Sequence, residues 1–397
     1  MENGAAVSSN ELELEDDPTC MFGDCYLKPF SDVYDHIHIP LSLTICVFGT
    51  VSNVFNIIVL TRKRMRTPIN VLLAGLSFSQ WMLASNYLGL LTVEYYRMQC
   101  YSLPWTYAFA WYRLINVNCN VVFHTVAFSH TLVIAVFRYG ALRWPIQASR
   151  YLYRTELAVI TTCVIWLVVP IICSPIFFTS QVGEIQVDYM NCSLQVMFDL
   201  NYSENATLVK FVFWMFGIVV KLIPSTLLSF LLIALIRSLH NVEKRRNLWH
   251  KRNEGCDELR NSMIRSKRNF MSTTRKTRML VIILFLCVAV ELPHGVLNLC
   301  TGIYGESFGI RIYDHLGSFM EMLTLLYSSI SFVLYCSMSN DFLCTFQLLF
   351  CACVCEPNNG ANTHSHGPNE AFYGQRKRQR SLPLSQMNGY LCVPSRP

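Results

Sequence analysis

Apolar residues are concentrated in seven long runs, and the short segments between them carry most of the charged residues. A helix needs about 20 apolar residues to cross a bilayer, and each run is long enough. None shows the strict alternation of a barrel strand, so the pattern predicts spanning helices. The runs cover roughly residues 37–61, 69–93, 107–137, 155–178, 208–236, 277–303 and 313–338.

The composition agrees with this pattern. Hydrophobic residues make up 52% of the 397 residues and charged residues only 15%, whereas a soluble domain carries about 25% charged residues. The net charge of +6 does not indicate a nucleic-acid partner, because the basic residues are confined to particular loops. The chain is therefore predicted to be an all-α protein, a seven-transmembrane helix bundle.

The loop charges predict the orientation of the bundle. Residues 1–36 contain nine acidic residues and one lysine, whereas the first loop, TRKRMRTP, is wholly basic. The segment 237–278 holds thirteen basic residues against four acidic ones. Because cytoplasmic loops are rich in lysine and arginine, we expect a multi-pass protein of the plasma membrane with an extracellular N-terminus.

Three glycosylation sequons lie between the fourth and fifth runs, at Asn191, Asn201 and Asn205. Glycosylation requires the lumenal face of the membrane, so their position agrees with the predicted orientation. Asn205 lies close to the start of the fifth run, where the bilayer would hinder its modification.

The residues after the seventh run predict a short interfacial helix. Phe342, Phe346 and Phe350 recur at helical spacing, which is typical of an amphipathic helix lying on membrane lipid. The cysteines that follow are candidates for palmitoylation, with free cytosolic thiols as the alternative: Cys351, Cys353 and Cys355.

The chain is thus divided into three parts. Residues 1–36 form an extracellular tail, residues 37–350 form the seven-helix domain with its interfacial helix, and residues 351–397 form a cytoplasmic tail. The last segment is polar and rich in Pro and Asn, so it is predicted to be disordered.

Ionisable residues inside the apolar runs indicate a functional interior, because such groups are costly in a membrane. Lys221 and Glu291 occupy adjacent helices at similar estimated depth, close to Pro224 and Pro293. We expect them to form an ion pair. The alternative is that a water-filled cavity solvates each one separately. Glu321 lies about a third of the way along the seventh run.

Metal binding and catalysis are not indicated. His124, His130 and His294 lie within the runs but have no ligand residues at metal-binding spacing. Membrane histidines more often form hydrogen bonds between helices. No metal, no other cofactor and no enzymatic activity are therefore expected.

Several motifs resemble those of rhodopsin-like G-protein-coupled receptors. GTVSNVFNIIVLTRKRMRTPIN resembles the first helix and first loop of that class, and Arg138-Tyr139 followed by Pro145 resembles the foot of its third helix. SFVLYCSMSNDF, which contains Tyr335 and Phe342, resembles the end of its seventh helix. The resemblance implies coupling to a heterotrimeric G protein and binding of arrestin. The seventh run contains no lysine, which excludes a retinal Schiff base in the usual position.

A narrower resemblance is to invertebrate myosuppressin-type, FMRFamide-like neuropeptide receptors. It is carried by FHTVAFSHTLVIAVFRYGALRWP, VELPHGVL and YDHLGSFMEMLTLLYSSISFVLYC, and it runs from about Asn53 to Phe342. The resemblance implies an extracellular neuropeptide ligand that ends in Arg-Phe-amide, held in a cavity between the helices.

The implied peptide has an arginine that requires a carboxylate and a phenyl ring that requires an aromatic wall. Glu321 is the first candidate for the arginine, with an internal Glu321–Arg113 pair as the alternative. The further candidates for the ligand site are Glu94, Asp314, Arg113, Tyr112, His294 and Glu291. Aromatic residues near the mouth can equally belong to an interfacial belt.

Two departures from the usual receptor pattern concern the interior and the outer loops. Gln80 and Ser331 stand where most relatives carry an aspartate and an asparagine, so sodium modulation is not expected. The outer end of the third helix reads AWYRL, without the usual cysteine. The resemblance then suggests a Cys100–Cys192 disulfide, with Cys20 and Cys25 as alternative partners.

The G-protein end is expected to involve Arg138, Tyr139 and Tyr335, while Pro224 and Pro293 permit kinks in the fifth and sixth helices. In most relatives an acid precedes the arginine and holds it in the resting state. Here the motif VFRYGALRWP has a phenylalanine in that place, so we expect ligand-free signalling.

Two alternatives keep the same architecture. A small-molecule chemoreceptor would need no carboxylate for a peptide, and a diverged receptor would couple weakly to G proteins. A transporter would show matched halves with broken helices, and the sequence shows none.

Overall fold

The structure is a computed structural model that describes residues 27–99, 101–144, 152, 154–185, 197–252, 260–304, 312 and 314–350. The tails predicted at the two ends lie largely outside this part of the chain. So do several predicted site positions, namely Asn191, Cys100, Cys192, Cys351, Cys353, Cys355 and the side chain of Asp314.

Seven long helices make up most of the described structure. The first four are α1 (Lys28–Leu60), α2 (Pro68–Met98), α3 (Tyr107–Arg143) and α4 (Thr155–Cys173). Helix α5 runs without a break through Ala206–Trp214, a π-helical segment at Met215–Leu222, and Ile223–Arg252. The remaining helices are α6 (Arg260–Tyr304), α7 (Asp314–Met338) and the short α8 (Asn340–Phe350). Turns of 3₁₀ helix lie at Lys63–Met65, Leu103–Trp105 and Ser174–Phe178.

Among the described helices, six are long and apolar enough to cross a membrane. Helix α2 falls below that hydropathy because polar residues interrupt its run, and Ser77, Ser79 and Gln80 are buried between helices. Its 31 residues are nevertheless long enough, since a helix rises about 1.5 Å per residue and the hydrocarbon core is about 30 Å thick. The predicted seven-helix bundle is confirmed.

Helix α1 begins at Lys28, so it extends into the segment predicted as the extracellular tail. Pro29 lies in the first turn, where its missing N–H breaks no helical hydrogen bond. The ring of Tyr34 packs edge-to-face against Phe319 of α7, with centroids 5.6 Å apart. Hydropathy misses the first turns of α1 because their charged residues point away from the packed face, so the helix begins before the apolar run predicted from residue 37.

Helix α8 packs back against the bundle. The Phe346 ring lies 5.5 Å from that of Phe55 in α1 and 5.3 Å from that of Phe332 in α7. Phe342 is 1% exposed and belongs to a core that includes Tyr335. The predicted amphipathic helix is therefore present, with its apolar side turned partly toward α1 and α7.

A β-hairpin between α4 and α5 departs from the all-helical pattern. Strands β1 (Ser180–Ile185) and β2 (Met197–Tyr202) pair antiparallel, with Gly183 opposite Asp199. The alternation of apolar and polar residues in MFDLNY is typical of a strand, but six residues are too few for a strand to cross a membrane. Two predicted sequons are exposed beside it: Asn201 lies in β2, and Asn205 caps α5 by accepting a hydrogen bond from the Leu208 amide at 3.1 Å.

Helices α2, α3 and α4 meet closely at Gly75. A methyl group on Gly75 would lie 2.8 Å from His130 Nε2 and 3.0 Å from Thr162 Cγ2. The His130 ring cannot move aside easily, because it is fully buried and its Nδ1 lies 2.9 Å from the Val126 carbonyl oxygen. We predict that Gly75→Ala lowers the stability of the receptor by about 1–3 kcal/mol through overpacking, measured by thermal unfolding in detergent.

The matched control is Gly317→Ala in α7, where an added methyl group meets nothing within 4 Å. That change should be neutral or stabilising by up to about 1 kcal/mol, because alanine favours the helix. Equal stability of the two variants would show that the helices tolerate separation at Gly75.

Candidate functional site

A cavity of about 360 Å³ lies below the hairpin, between α2, α3, α5, α6 and α7. Ligand cavities of about 300–1,000 Å³ are typical for small molecules and for the ends of larger ligands. Apolar side chains form much of its wall, among them Leu83, Val117 and Phe216. Two polar clusters interrupt that wall, one around Lys221 and one around Glu321.

The first cluster is centred on the Glu291 carboxylate of α6. Lys221 Nζ of α5 donates to Glu291 Oε2 at 3.1 Å, and His124 Nε2 of α3 lies 2.8 Å from Oε1. The Tyr327 hydroxyl of α7 donates to the same oxygen at 3.5 Å. The predicted Lys221–Glu291 ion pair is confirmed, and one carboxylate joins four helices.

The positions of the protons in this cluster follow from Lys221, because an ammonium group can only donate hydrogen bonds. Lys221 Nζ lies 3.4 Å from His124 Nδ1, so that ring nitrogen accepts. The ring proton then sits on Nε2 and is donated to Glu291. Glu291 is 0% exposed, whereas Lys221, His124 and His294 line the cavity. In this part of the cavity wall the exposed polar groups are therefore nitrogen atoms, and the negative charge of Glu291 lies behind them.

The local helix geometry brings Lys221 to this position. It lies in the π-helical segment of α5, which Pro224 follows in the next turn. Such segments are uncommon and often occur at functional sites. Glu291 lies two residues before Pro293, inside α6. Both members of the pair therefore occupy irregular parts of their helices.

The second cluster surrounds Glu321 of α7. Its oxygens accept hydrogen bonds from the Tyr87 hydroxyl at 2.9 Å and from Asn120 Nδ2 at 3.5 Å. The Tyr87 oxygen lies 3.4 Å from His38 Nε2, and His38 Nδ1 lies 3.0 Å from the Tyr34 hydroxyl. A relay of neutral donors thus holds the carboxylate against α1, α2 and α3.

In the part of the chain that the structure describes, no lysine or arginine lies within 4.0 Å of Glu321. The predicted alternative, an internal pair with Arg113, is therefore wrong. Glu321 lines the cavity and presents a carboxylate whose neighbours are hydrogen-bond donors without charge.

An ionic cluster joins the hairpin to the ends of α2 and α3. Asp199 of β2 accepts from Arg97 Nη1 at 3.2 Å and from Nη2 at 2.6 Å, and it also accepts from Arg113. Arg113 Nη2 lies 3.5 Å from Glu94 Oε2. The Arg97 guanidinium stacks over the buried Trp105 ring, 4.0 Å from its centroid.

Three predicted ligand residues lie outside this cavity in the described structure. Arg113 pairs with Asp199 of the hairpin and with Glu94, and Tyr112 is 44% exposed. Arg113 belongs to AWYRL, where the family resemblance led us to look for a cysteine. An arginine–aspartate contact joins the hairpin to α3 at this position.

At the other end of the bundle, Arg138, Met279, Tyr335 and Phe342 surround a gap of about 20 Å³. Tyr335 is 2% exposed, and its ring packs on Phe342 with centroids 5.2 Å apart. Among the described residues, the Tyr335 hydroxyl has no hydrogen-bond partner. Tyr139 packs against Trp144, at a centroid distance of 5.9 Å. This end is closed.

A neutral polar cluster occupies the middle of the bundle. Asn56 donates to Ser331 Oγ at 3.2 Å, and Asn53 donates to the Ser328 carbonyl at 3.5 Å. Gln80 in α2 is also buried, at 2% exposure. The cluster therefore ties α1 to α7 through neutral hydrogen bonds.

Tyr87, Asn120, His124 and Arg97 were not predicted as site residues. His124 was singled out only as a histidine within an apolar run. Tyr87 and Asn120 are hydrogen-bonding residues inside such runs, but the face of the helix on which each lies was needed to recognise them. Arg97 lies beyond the second run, which ends at residue 93.

The hairpin cluster should respond to pH through Asp199. Burial alone would raise the pKa of this carboxyl, but the Arg97 hydrogen bonds and the Arg113 charge outweigh burial and hold the pKa below its ordinary 3.8. A lowered folded pKa stabilises the folded form at pH values above 3.8, and that contribution is lost as pH falls through the folded value. The opening free energy of the β1 and β2 amides, obtained from hydrogen exchange after correction for the intrinsic exchange rate at each pH, should therefore be constant near neutral pH and fall only in strong acid.

Asp199→Asn should lower the opening free energy of the same amides by about 1.5–3 kcal/mol at every pH at which Asp199 is ionised, because charge-assisted hydrogen bonds are lost. The control is Glu204→Gln, which removes an exposed carboxylate from the loop after β2. Unchanged exchange in Asp199→Asn would mean that other contacts hold the hairpin.

Comparison with known proteins identifies the family. The model of the serpentine-type seven-transmembrane G-protein-coupled chemoreceptors, Srw, matches residues 40–353. The G-protein coupled receptor dmsr-1 of Caenorhabditis elegans is 27% identical over 351 residues, covering 80% of this chain and 68% of that protein. Sex peptide receptor-related protein 2 of the same organism is 25% identical over 377 residues, covering 84% and 76%.

The thyrotropin-releasing hormone receptor of Bos taurus is 24% identical over 339 residues, covering 82% of this chain and 80% of that receptor. These matches confirm the resemblance to rhodopsin-like receptors that the motifs carry. The chain therefore belongs to the Srw family of serpentine seven-transmembrane G-protein-coupled receptors, a class of multi-pass membrane receptors that are not enzymes.

Proposed function

We propose that this receptor is activated by an extracellular neuropeptide that ends in Arg-Phe-amide and signals through a heterotrimeric G protein. It acts at the plasma membrane with its N-terminus outside, so the cavity below the hairpin opens to the extracellular side. Arrestin is the second cytoplasmic partner. Of the relatives, one is named for a sex peptide receptor and one for a hormone receptor, which supports a messenger ligand.

The observation that carries the proposal is the environment of Glu321. The carboxylate faces a largely apolar cavity, and its described partners, Tyr87 and Asn120, are neutral. A charge in such surroundings is stabilised best by an opposite charge. An arginine side chain matches a carboxylate in geometry and can bond both of its oxygens.

The cavity size fits the end of a peptide and not its whole length. About 360 Å³ accommodates one or two side chains, and the rest of the ligand would contact the hairpin and the mouth. Aromatic side chains exposed at that mouth include Tyr95, Tyr101 and Tyr107. Asp314 lies at the start of α7 and is a further acidic candidate there.

The outer and cytoplasmic modifications complete the proposal. Asn191, Asn201 and Asn205 are the glycosylation sites, and Cys100–Cys192 is a disulfide of the outer loops. Cys351, Cys353 and Cys355 are palmitoylated after α8, which lies on membrane lipid. Each assignment follows from the motif and from the orientation proposed above.

A small-molecule chemoreceptor is the second candidate, because the matching family is described as one. A small cationic ligand would also bind Glu321, but it would not need the hairpin surface. Activation by a small cation without any peptide would favour this alternative.

We predict that Glu321→Gln reduces the potency of an Arg-Phe-amide peptide by about tenfold to a hundredfold. The reason is the loss of a charge-assisted pair worth about 1.5–3 kcal/mol. Second-messenger responses in transfected cells, corrected for surface expression, measure the effect. An analogue with citrulline in place of arginine should be equally potent on both receptors, because it carries no charge.

The matched control is Glu204→Gln, an exposed carboxylate outside the cavity, which should leave both potencies unchanged. Equal losses for the arginine and citrulline peptides in Glu321→Gln would show that Glu321 supports the fold and does not bind the arginine.

The closed G-protein end gives a further prediction. The buried Tyr335 hydroxyl lacks a described partner, so removing it should not destabilise the resting receptor. Tyr335→Phe should therefore keep or raise the melting temperature. If this hydroxyl gains a partner when the end opens, agonist-stimulated G-protein activation should fall several-fold. A lower melting temperature would mean that the hydroxyl already stabilises the resting state.

A further inference from the structure

We propose that the Lys221 wall of the cavity is a subsite for a neutral hydrogen-bond acceptor of the ligand, a carboxamide group, and that it discriminates against a carboxylate. The inference rests on the proposed function, since it treats this cavity as the ligand site. It deepens that function by assigning a second chemical group to a second place in the cavity.

The donor is the ammonium group of Lys221. An ammonium has three N–H donors, and two of them are directed to Glu291 and His124. The lysine side chain is 14% exposed and lines the cavity. One N–H is therefore left for a ligand, and the oxygen of an amide is a suitable acceptor for it.

The charges of the cavity decide between an amide and an acid. Lys221 contributes one positive charge, while Glu291 behind it and Glu321 across the cavity contribute one negative charge each. With neutral histidines, the described ionisable groups sum to one negative charge. The single cation facing the cavity is already compensated by a carboxylate 3.1 Å away.

A ligand carboxylate would therefore lose its water shell without gaining an uncompensated partner, which is costly in an apolar cavity. A carboxamide accepts the same N–H and brings no charge. The cavity thus suits a ligand with a cation toward Glu321 and a neutral acceptor toward Lys221. The charges of the cavity, and not its shape, therefore favour a carboxamide over a carboxylate.

Small fragments test the subsite without using Glu321, because they carry no cation. The probes are N-acetylphenylalaninamide and N-acetylphenylalanine, which differ in the amide and the ionised acid at neutral pH. The melting temperature of the purified full-length receptor, followed against fragment concentration, gives a dissociation constant for each. Fragments of this size are expected to bind at concentrations on the order of 1 mM.

For the native receptor, the amide should bind about tenfold more tightly than the acid, because only the acid must give up the water around a charge. In Glu291→Gln the lysine loses its compensating charge, so the acid should become the tighter ligand. Equal binding of the two fragments by the native receptor, or binding of neither, would overturn the proposal. So would an order of affinity that Glu291→Gln leaves unchanged.

Glu291→Gln removes a fully buried charge and leaves Lys221 unpaired, so it could prevent folding. A second variant separates an effect on binding from an effect on folding. The double variant Lys221→Gln with Glu291→Gln carries no buried charge at this site and should weaken amide binding about tenfold. Amide binding equal to that of the native receptor would show that Lys221 does not contact the ligand. Glu204→Gln, on the exposed loop, should leave both dissociation constants unchanged.

The fragment result and the peptide result can fail separately. If the receptor binds the amide fragment but does not respond to any Arg-Phe-amide peptide, the proposed subsite stands and the proposed ligand is wrong. A receptor that responds to the peptide but binds both fragments alike keeps the ligand and loses the subsite.

Discussion

The cost of burying a carboxylate without compensation is the constraint on which the interior of this receptor depends. Glu291 is 0% exposed in the middle of α6, where an uncompensated charge would destabilise the bundle by several kcal/mol. Compensation comes from Lys221, His124 and Tyr327, one from each of three other helices. The relative positions of α3, α5, α6 and α7 are therefore tied to a single hydrogen-bonded group.

Asp199, Glu291 and Glu321 differ in how the charge of each carboxylate is compensated. Asp199 is paired with two arginines, so it holds the hairpin over the cavity. Glu291 is paired with one lysine and shielded from the cavity. Glu321 lines the cavity with neutral partners, so its charge is the one that a ligand can best compensate. The degree of compensation, more than the presence of an acid, separates structural carboxylates from a candidate binding group.

Sequence reasoning predicted what depends on the position of a residue along the chain. Seven apolar runs, the short α8 and the Lys221–Glu291 pair could all be inferred, because depth in a membrane helix follows from counting residues. The direction in which a side chain faces could not be inferred from the sequence in this way. Arg113 and Glu94 were therefore expected at the ligand site, although Arg113 turns toward Asp199 and Glu94 turns toward Arg113. Tyr87 and Asn120 were missed beside Glu321, and polarity in the first turns of α1 hid its true start.

The Glu291 cluster is well placed to couple the cavity to the G-protein end. Its lysine lies in the π-helical segment of α5, and its carboxylate lies two residues before Pro293 in α6, where the proline removes a helical hydrogen bond. A ligand shifts an equilibrium only through a difference in its affinity for two states. A ligand group that accepts the third N–H of Lys221 would bind the same ammonium that donates to Glu291, so its binding would favour one packing of α5 against α6 over another. In the present packing the end around Tyr335 is closed, and the Tyr335 hydroxyl is buried without a described partner. Such a shift would reduce the population of this closed packing.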